Sequence, residues 1–142
     1  MQPLRTCFRR SAADRLLLGH AIVLCAAVRF GSRLFSYARV VKILGRLYPL
    51  DRAGRQSAGG DGIARIAWAV NTAAYLLPAD GACLADALTA QSLLRSRGID
   101  STIRFGVATD RRAVFAHAWL EGVDGPIFGF QPGRFEPLER SA

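Results

Sequence analysis

The sequence predicts an α+β protein in which helices come first and an antiparallel sheet follows. Three observations predict it. Apolar residues recur at helical spacing as far as about Arg97 and at alternate positions after it. Glycine or proline punctuates each change of pattern, at Gly31, Pro49, Pro78 and Gly98. Asp124-Gly125 separates two strand-like runs, a strong hairpin signal. The 142 residues suffice for one domain with a helical appendage, and 51% hydrophobic against 21% charged residues supports a packed core.

Ser11-Ala12-Ala13-Asp14 is a capping-box-like start, so a helix is expected from there to about Phe30, stopping at Gly31. Its apolar run, Leu16–Val28, is shorter than the roughly 20 residues a bilayer crossing needs, so no transmembrane span is expected. Arg5, Arg9 and Arg10 precede that run as in a signal peptide, but Arg29 and Arg33 follow it with no clean cleavage site. The segment therefore reads as a buried helix and the protein as cytoplasmic, where a lone reactive thiol stays reduced.

Ser32 is placed to cap a second helix through about Leu47, ended by Pro49. Leu34, Phe35, Ala38, Val41 and Leu44 are expected inward, with Arg33, Arg39, Lys42 and Arg46 largely outward. Residues 51–60 are polar and aperiodic, a linker between a basic helical region, 1–50, and a core, 61–142. A third helix is expected from Asp61 to about Leu77, with Ile63, Ile66, Ala67, Val70, Ala73, Ala74 and Leu77 as its stripe. A fourth runs from about Ala82 to Arg97, with Gly98 as its terminating glycine. Strands are expected over Thr102–Ala108, Val114–Glu121 and Gly125–Phe130, with a short edge strand within Arg134–Leu138.

The net charge of +8 is unevenly placed: residues 1–80 carry twelve Arg or Lys against four Asp, and residues 81–142 carry seven of each sign. The basic half is either a surface for an acidic partner or a solvated helix face. No aromatic–basic interleaving marks a nucleic-acid surface, so no nucleic-acid partner is expected. Three cysteines at no metal-like spacing, with only two histidines, argue against a disulfide framework and a zinc site. No glycine loop followed by Lys-Ser/Thr is present, and no cofactor or metal is expected.

Cys83 falls in the first turn of the fourth helix, where unpaired N–H groups and the helix dipole favour a thiolate and can hold an oxyanion. Cys7 and Cys25 read as small buried hydrophobes and His20 as a core histidine. His117 lies mid-strand, on one face with Trp119 and Glu121, while Ala116, Ala118 and Leu120 line the other. The small alanines leave room for a thiol-bearing helix, and the imidazole can then take the thiol proton. Such a pair needs a third group to orient the ring. With Asp124-Gly125 as a two-residue turn, His117 lies opposite Pro132 and beside Gln131, whose amide oxygen can accept from the ring. Glu121 is a weaker candidate, and Asp124 sits at the turn tip. Trp119 is expected as a platform beside the site, and Asp86 as a helix-surface acid.

Cys83-Leu84, Leu93-Leu94-Arg95-Ser96-Arg97-Gly98-Ile99, Gly106-Val107, His117-Ala118-Trp119-Leu120-Glu121 and Asp124-Gly125 occur in that order. The series resembles the transglutaminase-like cysteine peptidases of lasso-peptide biosynthesis, the B-protein leader peptidases. The resemblance is specific over about residues 79–138 and implies a helix-plus-antiparallel-sheet core of transglutaminase/papain-like type. It implies cleavage of the leader from a ribosomally made precursor peptide, with a separate leader-binding protein and a macrocyclase as partners. Carried over by position, Cys83 is the nucleophile and His117 the general base. The family has an aspartate after the hairpin; here Ile127-Phe128-Gly129-Phe130-Gln131 holds no acid, and Gln131 takes the matching place. Two other outcomes stay open: transfer of the acyl group to an amine, as in transglutaminases, and a catalytically decayed adaptor.

Overall fold

Helix α4 (Cys83–Arg95) is the element on which the others converge, because eight of its thirteen residues are buried. A helix buried on most sides shows weak amphipathic patterning, and its interior polar groups must be satisfied within it. Thr89 and Ser92 meet that demand by donating to the carbonyls of Ala85 and Leu88, each at 2.8 Å. The fold was obtained as a computed structural model, which describes residues 10–50 and 60–138.

Helices α1 (Ala12–Leu34) and α3 (Gly60–Leu76) pack against α4 and against each other, and α2 (Tyr37–Leu47) lies on α1 and α4. The other side of α4 rests on a four-stranded antiparallel sheet in the order β3-β2-β1-β4. Its strands are β1 (Thr102–Asp110), β2 (Ala113–Gly122), β3 (Gly125–Phe128) and β4 (Glu136–Pro137). The α+β architecture follows the sequence pattern. One core joins Leu17, Leu24 and Val28 of α1 to Ile66 and Val70 of α3, Leu88 and Leu93 of α4, Leu120 of β2 and Phe128 of β3.

Ser11 caps α1 as its pattern predicts: its side chain accepts from the Asp14 N–H at 3.2 Å and donates to the Asp14 carboxylate at 3.0 Å. The same carboxylate takes the Arg65 guanidinium at 2.6 Å, which fastens the start of α1 to α3. The end of α1 differs from expectation. The helix continues through Gly31 to Leu34, so it has 23 residues rather than stopping near Phe30. Glycine inside a helix costs only about 1 kcal/mol, too little to end one whose next turn still forms. Ser32 is no cap either; its hydroxyl bonds back to the Val28 carbonyl at 2.7 Å. By length and composition alone α1 now suffices to cross a bilayer. In this fold its stripe of Leu17, Leu18, Ala21, Leu24, Cys25 and Val28 is buried.

The later start of α2, after Ser36, changes which side chains face inward. Val40 and Leu44 are buried, while Leu34, Phe35 and Val41 are exposed. Arg39, Lys42 and Arg46 do point to solvent. The linker reading falls on residues 51–59, outside the described residues, and Gly60 already opens α3. In α3 the buried face is Ile66, Ala69, Val70, Thr72 and Ala73. The end of α4 is as expected: Gly98 takes φ +75°, and the Gly98 and Ile99 amides bond back to Arg95 and Leu94 at 3.0 Å.

The hairpin turn is shifted by one residue. Gly122 pairs with Gly125, so Val123-Asp124 forms the turn rather than Asp124-Gly125, and a bulge interrupts the ladder between Leu120 and Glu121. A tight Asp-Gly turn of the usual hairpin type needs positive φ at both central residues. Among the described residues only glycines adopt positive φ, so Asp124 does not supply it.

The Arg65 hydrogen bond, ahead of Ser11, holds the Asp14 carboxyl below its ordinary value of 3.8. A depressed carboxylate stabilises the fold above that value and loses its contribution as pH falls through the folded one. Asp14→Asn should therefore lower the melting temperature by a few degrees at pH 7. The gap to the parent should close in melts taken below pH 3.8.

Candidate active site

The thiol of Cys83 is placed by the segment that precedes it. Pro78 follows the end of α3, and Gly81 at φ +69° turns the chain into α4. Ala82 occupies the cap position and offers no side-chain hydrogen bond to the first turn. The leading N–H groups of α4 are thus left without a side-chain partner at its cap, beside a half-buried thiol. Such an end attracts negative charge.

His117 comes from the middle of β2, opposite Gly106 of β1. Gly106 is glycine for a steric reason. A Cβ there would lie 2.7 Å and 2.9 Å from the Trp119 ring and 2.8 Å from the Glu136 carbonyl of β4. The vacant position lets the indole lie across β1, where Trp119 is 1% exposed. The indole N–H donates to Glu121 Oε1 at 3.1 Å, and Arg104 donates to Oε2 at 2.9 Å. The Trp119 bond first, then Arg104, holds the Glu121 carboxyl below its ordinary range. Trp119 is the expected platform: its ring stacks beside the imidazole, with centroids 6.4 Å apart.

Cys83 and His117 line one open cavity of about 430 Å³. It wraps the 115–117 stretch of β2 and so collects Ala116 from one face and His117 from the other; Asp86, Arg134 and Phe135 complete its polar and aromatic wall. No hydrogen bond joins thiol and imidazole among the described residues. Instead His117 Nε2 lies 2.6 Å from the carbonyl oxygen of Gly129, and Phe135 stacks on the ring at 4.7 Å between centroids. Catalytic hydrogen bonds are often loose before substrate binds, so the shared cavity is the informative geometry.

The third-group candidates are engaged elsewhere. Gln131 Oε1 accepts from Arg134 at 3.1 Å, and Gln131 is not in the cavity wall. Glu121 serves Trp119 and Arg104, while Asp124 is in the hairpin turn. Asp86 is no surface acid: it lies 14% exposed between α4 and α1, accepting from Arg29 at 2.8 Å and from the Cys25 thiol at 3.2 Å. Cys25 is fully buried, and burial, then the Asp86 contact, pushes its thiol up to about 11. His20 is surface-exposed rather than in the core, with Nε2 2.7 Å from the Tyr48 hydroxyl. Cys7 lies outside the described residues. Sequence reasoning missed Gly129, Arg134 and Phe135. The signal was there in Gly129 and Gly133, two glycines that both turn out to need positive φ.

A thiol on an open helix end, an imidazole from a neighbouring strand and a cavity that both line form the arrangement of a cysteine nucleophile with a base. The profile of the Transglutaminase-like superfamily matches residues 22–140. The chain belongs to this superfamily. No curated protein and no solved structure matched it. Membership supports thiol chemistry of the peptidase or acyl-transfer kind in general terms.

Two measurements follow from this transglutaminase-like site. Iodoacetamide at pH 8 should label Cys83 in the native protein and leave Cys25 unlabelled until denaturation, as peptide mass spectrometry can read. Gly106→Ala should destabilise the fold by about 1–3 kcal/mol in urea titrations, since the added methyl group meets a ring and a backbone oxygen.

Proposed function

We propose that this protein is a cysteine peptidase that removes the leader from a ribosomally synthesised lasso precursor peptide. It acts with a separate leader-binding protein and a macrocyclase. The observation that carries the chemistry is the cavity lined jointly by Cys83, at an uncapped helix start, and His117. The choice of substrate rests on the ordered motifs from Cys83 to Gly125, which resemble the leader peptidases.

In this reading the Cys83 thiolate attacks the last carbonyl carbon of the leader. The carbonyl π electrons move onto oxygen, and N–H groups of the first turn of α4 hold that oxyanion. Collapse of the intermediate expels the amine of the core peptide, which takes its proton from the His117 imidazolium. Water, deprotonated by His117, then attacks the thioester and releases the leader, returning the thiol. The exposed Arg39, Lys42 and Arg46 of α2 offer a cationic face to an acidic leader or partner. The reaction is placed in the cytoplasm, where the thiol stays reduced.

Interception of the same thioester by an amine would make the protein an acyl transferase. The observation that keeps an adaptor role in view is that, among the described residues, His117 meets a main-chain carbonyl and no carboxylate.

The deciding experiment incubates the precursor and its leader-binding partner with parent, Cys83→Ala and His117→Ala proteins and reads product masses. Cleavage with addition of water, reduced by at least about 100-fold in both variants, is expected. An amine adduct would select the transferase, and no turnover by folded parent protein would select the adaptor.

A further inference from the structure

We propose that the main-chain carbonyl of Gly129, rather than any side chain, orients the His117 imidazole, with Phe135 as the ring's lateral support. The proposal deepens the peptidase reading and rests on it for its functional meaning.

The contact itself fixes the proton. A carbonyl oxygen can only accept, so a ring nitrogen 2.6 Å away must carry the hydrogen. A neutral imidazole has one N–H, so Nε2 holds it and Nδ1 keeps the lone pair. Nδ1 is then the nitrogen able to take a proton in the cavity that His117 lines with Cys83. Orientation and tautomer are what a third group supplies to a thiol–imidazole pair, and here one backbone oxygen supplies both.

The local backbone explains why a carbonyl does this. Ladder pairing of β3 ends at Phe128, and Gly129 takes φ +77°, a left-handed conformation that suits glycine. The chain therefore leaves the strand direction one residue later, and the Gly129 carbonyl, not the Gln131 amide, meets the ring. Gln131 instead begins the turn that brings in Arg134 and Phe135, through its main-chain oxygen at 3.4 Å and its side-chain oxygen at 3.1 Å. Phe135 then stacks at 23° to the imidazole plane. Among the described residues, Glu121 is committed to Trp119 and Arg104, and Asp86 to Arg29 and Cys25. A carbonyl dipole carries no net charge, so it aims the ring without the full stabilisation of the imidazolium that a carboxylate gives.

The test is ring-nitrogen NMR on the full 15N-labelled chain at alkaline pH. His20→Gln removes the other of the two histidines and assigns the signals. Expected is the Nε2–H tautomer for His117, unchanged in Gln131→Ala. In Gly129→Ala, where the left-handed backbone is strained, the tautomers should mix and iodoacetamide labelling of Cys83 should slow about tenfold. An Nδ1–H tautomer in the parent protein, or a tautomer shift in Gln131→Ala, overturns the proposal. So does faster Cys83 labelling in a folded Gly129→Ala, which would make the carbonyl a restraint on the ring. Should Gly129→Ala fail to fold, the parent and Gln131→Ala spectra decide. A retained Nε2–H tautomer in a protein that cleaves no peptide supports the proposal and counts against the peptidase reading alone.

Discussion

The Arg29–Asp86 ion pair ties the helix that carries Cys83 to the longest helix among the described residues. Asp86 lies one turn beyond Cys83, and its carboxylate is held by Arg29 and by the Cys25 thiol, both on α1. Both charged side chains are only 14% exposed, so each depends on the other for its solvation. Such a pair contributes little net stability over an apolar alternative, but it penalises any rotation or slippage of α4 against α1. The start of α4 is thereby fixed from behind, while its open end faces the cavity. The pairing also limits the repulsion that Asp86 would exert on a nearby thiolate, because its charge is matched by a cation 2.8 Å away.

The His117 imidazole is fixed by a separate set of contacts. Trp119 is locked by the missing Cβ of Gly106 and by its bond to Glu121, and the imidazole two residues earlier lies beside it. The β3–β4 connection covers that ring from outside, with Gly129, Phe130 and Phe135 against His117 and Trp119. Cys83 and His117 thus belong to two packed elements, a buried helix and a pleated strand, that meet across one cavity. Precise relative placement of reacting groups is where much of an enzyme's rate originates, and rigid elements hold it better than loops.

The outward side of α1 is unusual for a helix so well packed on its other face. Leu16, Val23 and Phe30 recur every seventh residue and are 76%, 69% and 66% exposed. Beside them α2 presents Arg39, Lys42 and Arg46 to solvent. These three cations therefore lie on an element that does not line the Cys83–His117 cavity.

Much of the architecture was legible because it depends on local rules. The Ser11-to-Asp14 cap, the Gly98 terminator, the shift from helical to alternating period and the placement of Cys83 and His117 all follow from spacing within a few residues. Two features were not legible, each for a physical reason. Gly31 and Ser32 looked like a boundary, yet α1 runs through them because packing on α3 and α4 outweighs a weak local preference. Asp86 looked like a surface acid, and only its partners 57 and 61 residues away put it in the interior. The sequence by itself determined the fold class and the two chemical groups, since these are properties of composition and period. The tertiary structure decided which groups the imidazole meets. A bulge at Leu120 and a left-handed Gly129 change the register by single residues, and in a strand a single residue exchanges one face for the other.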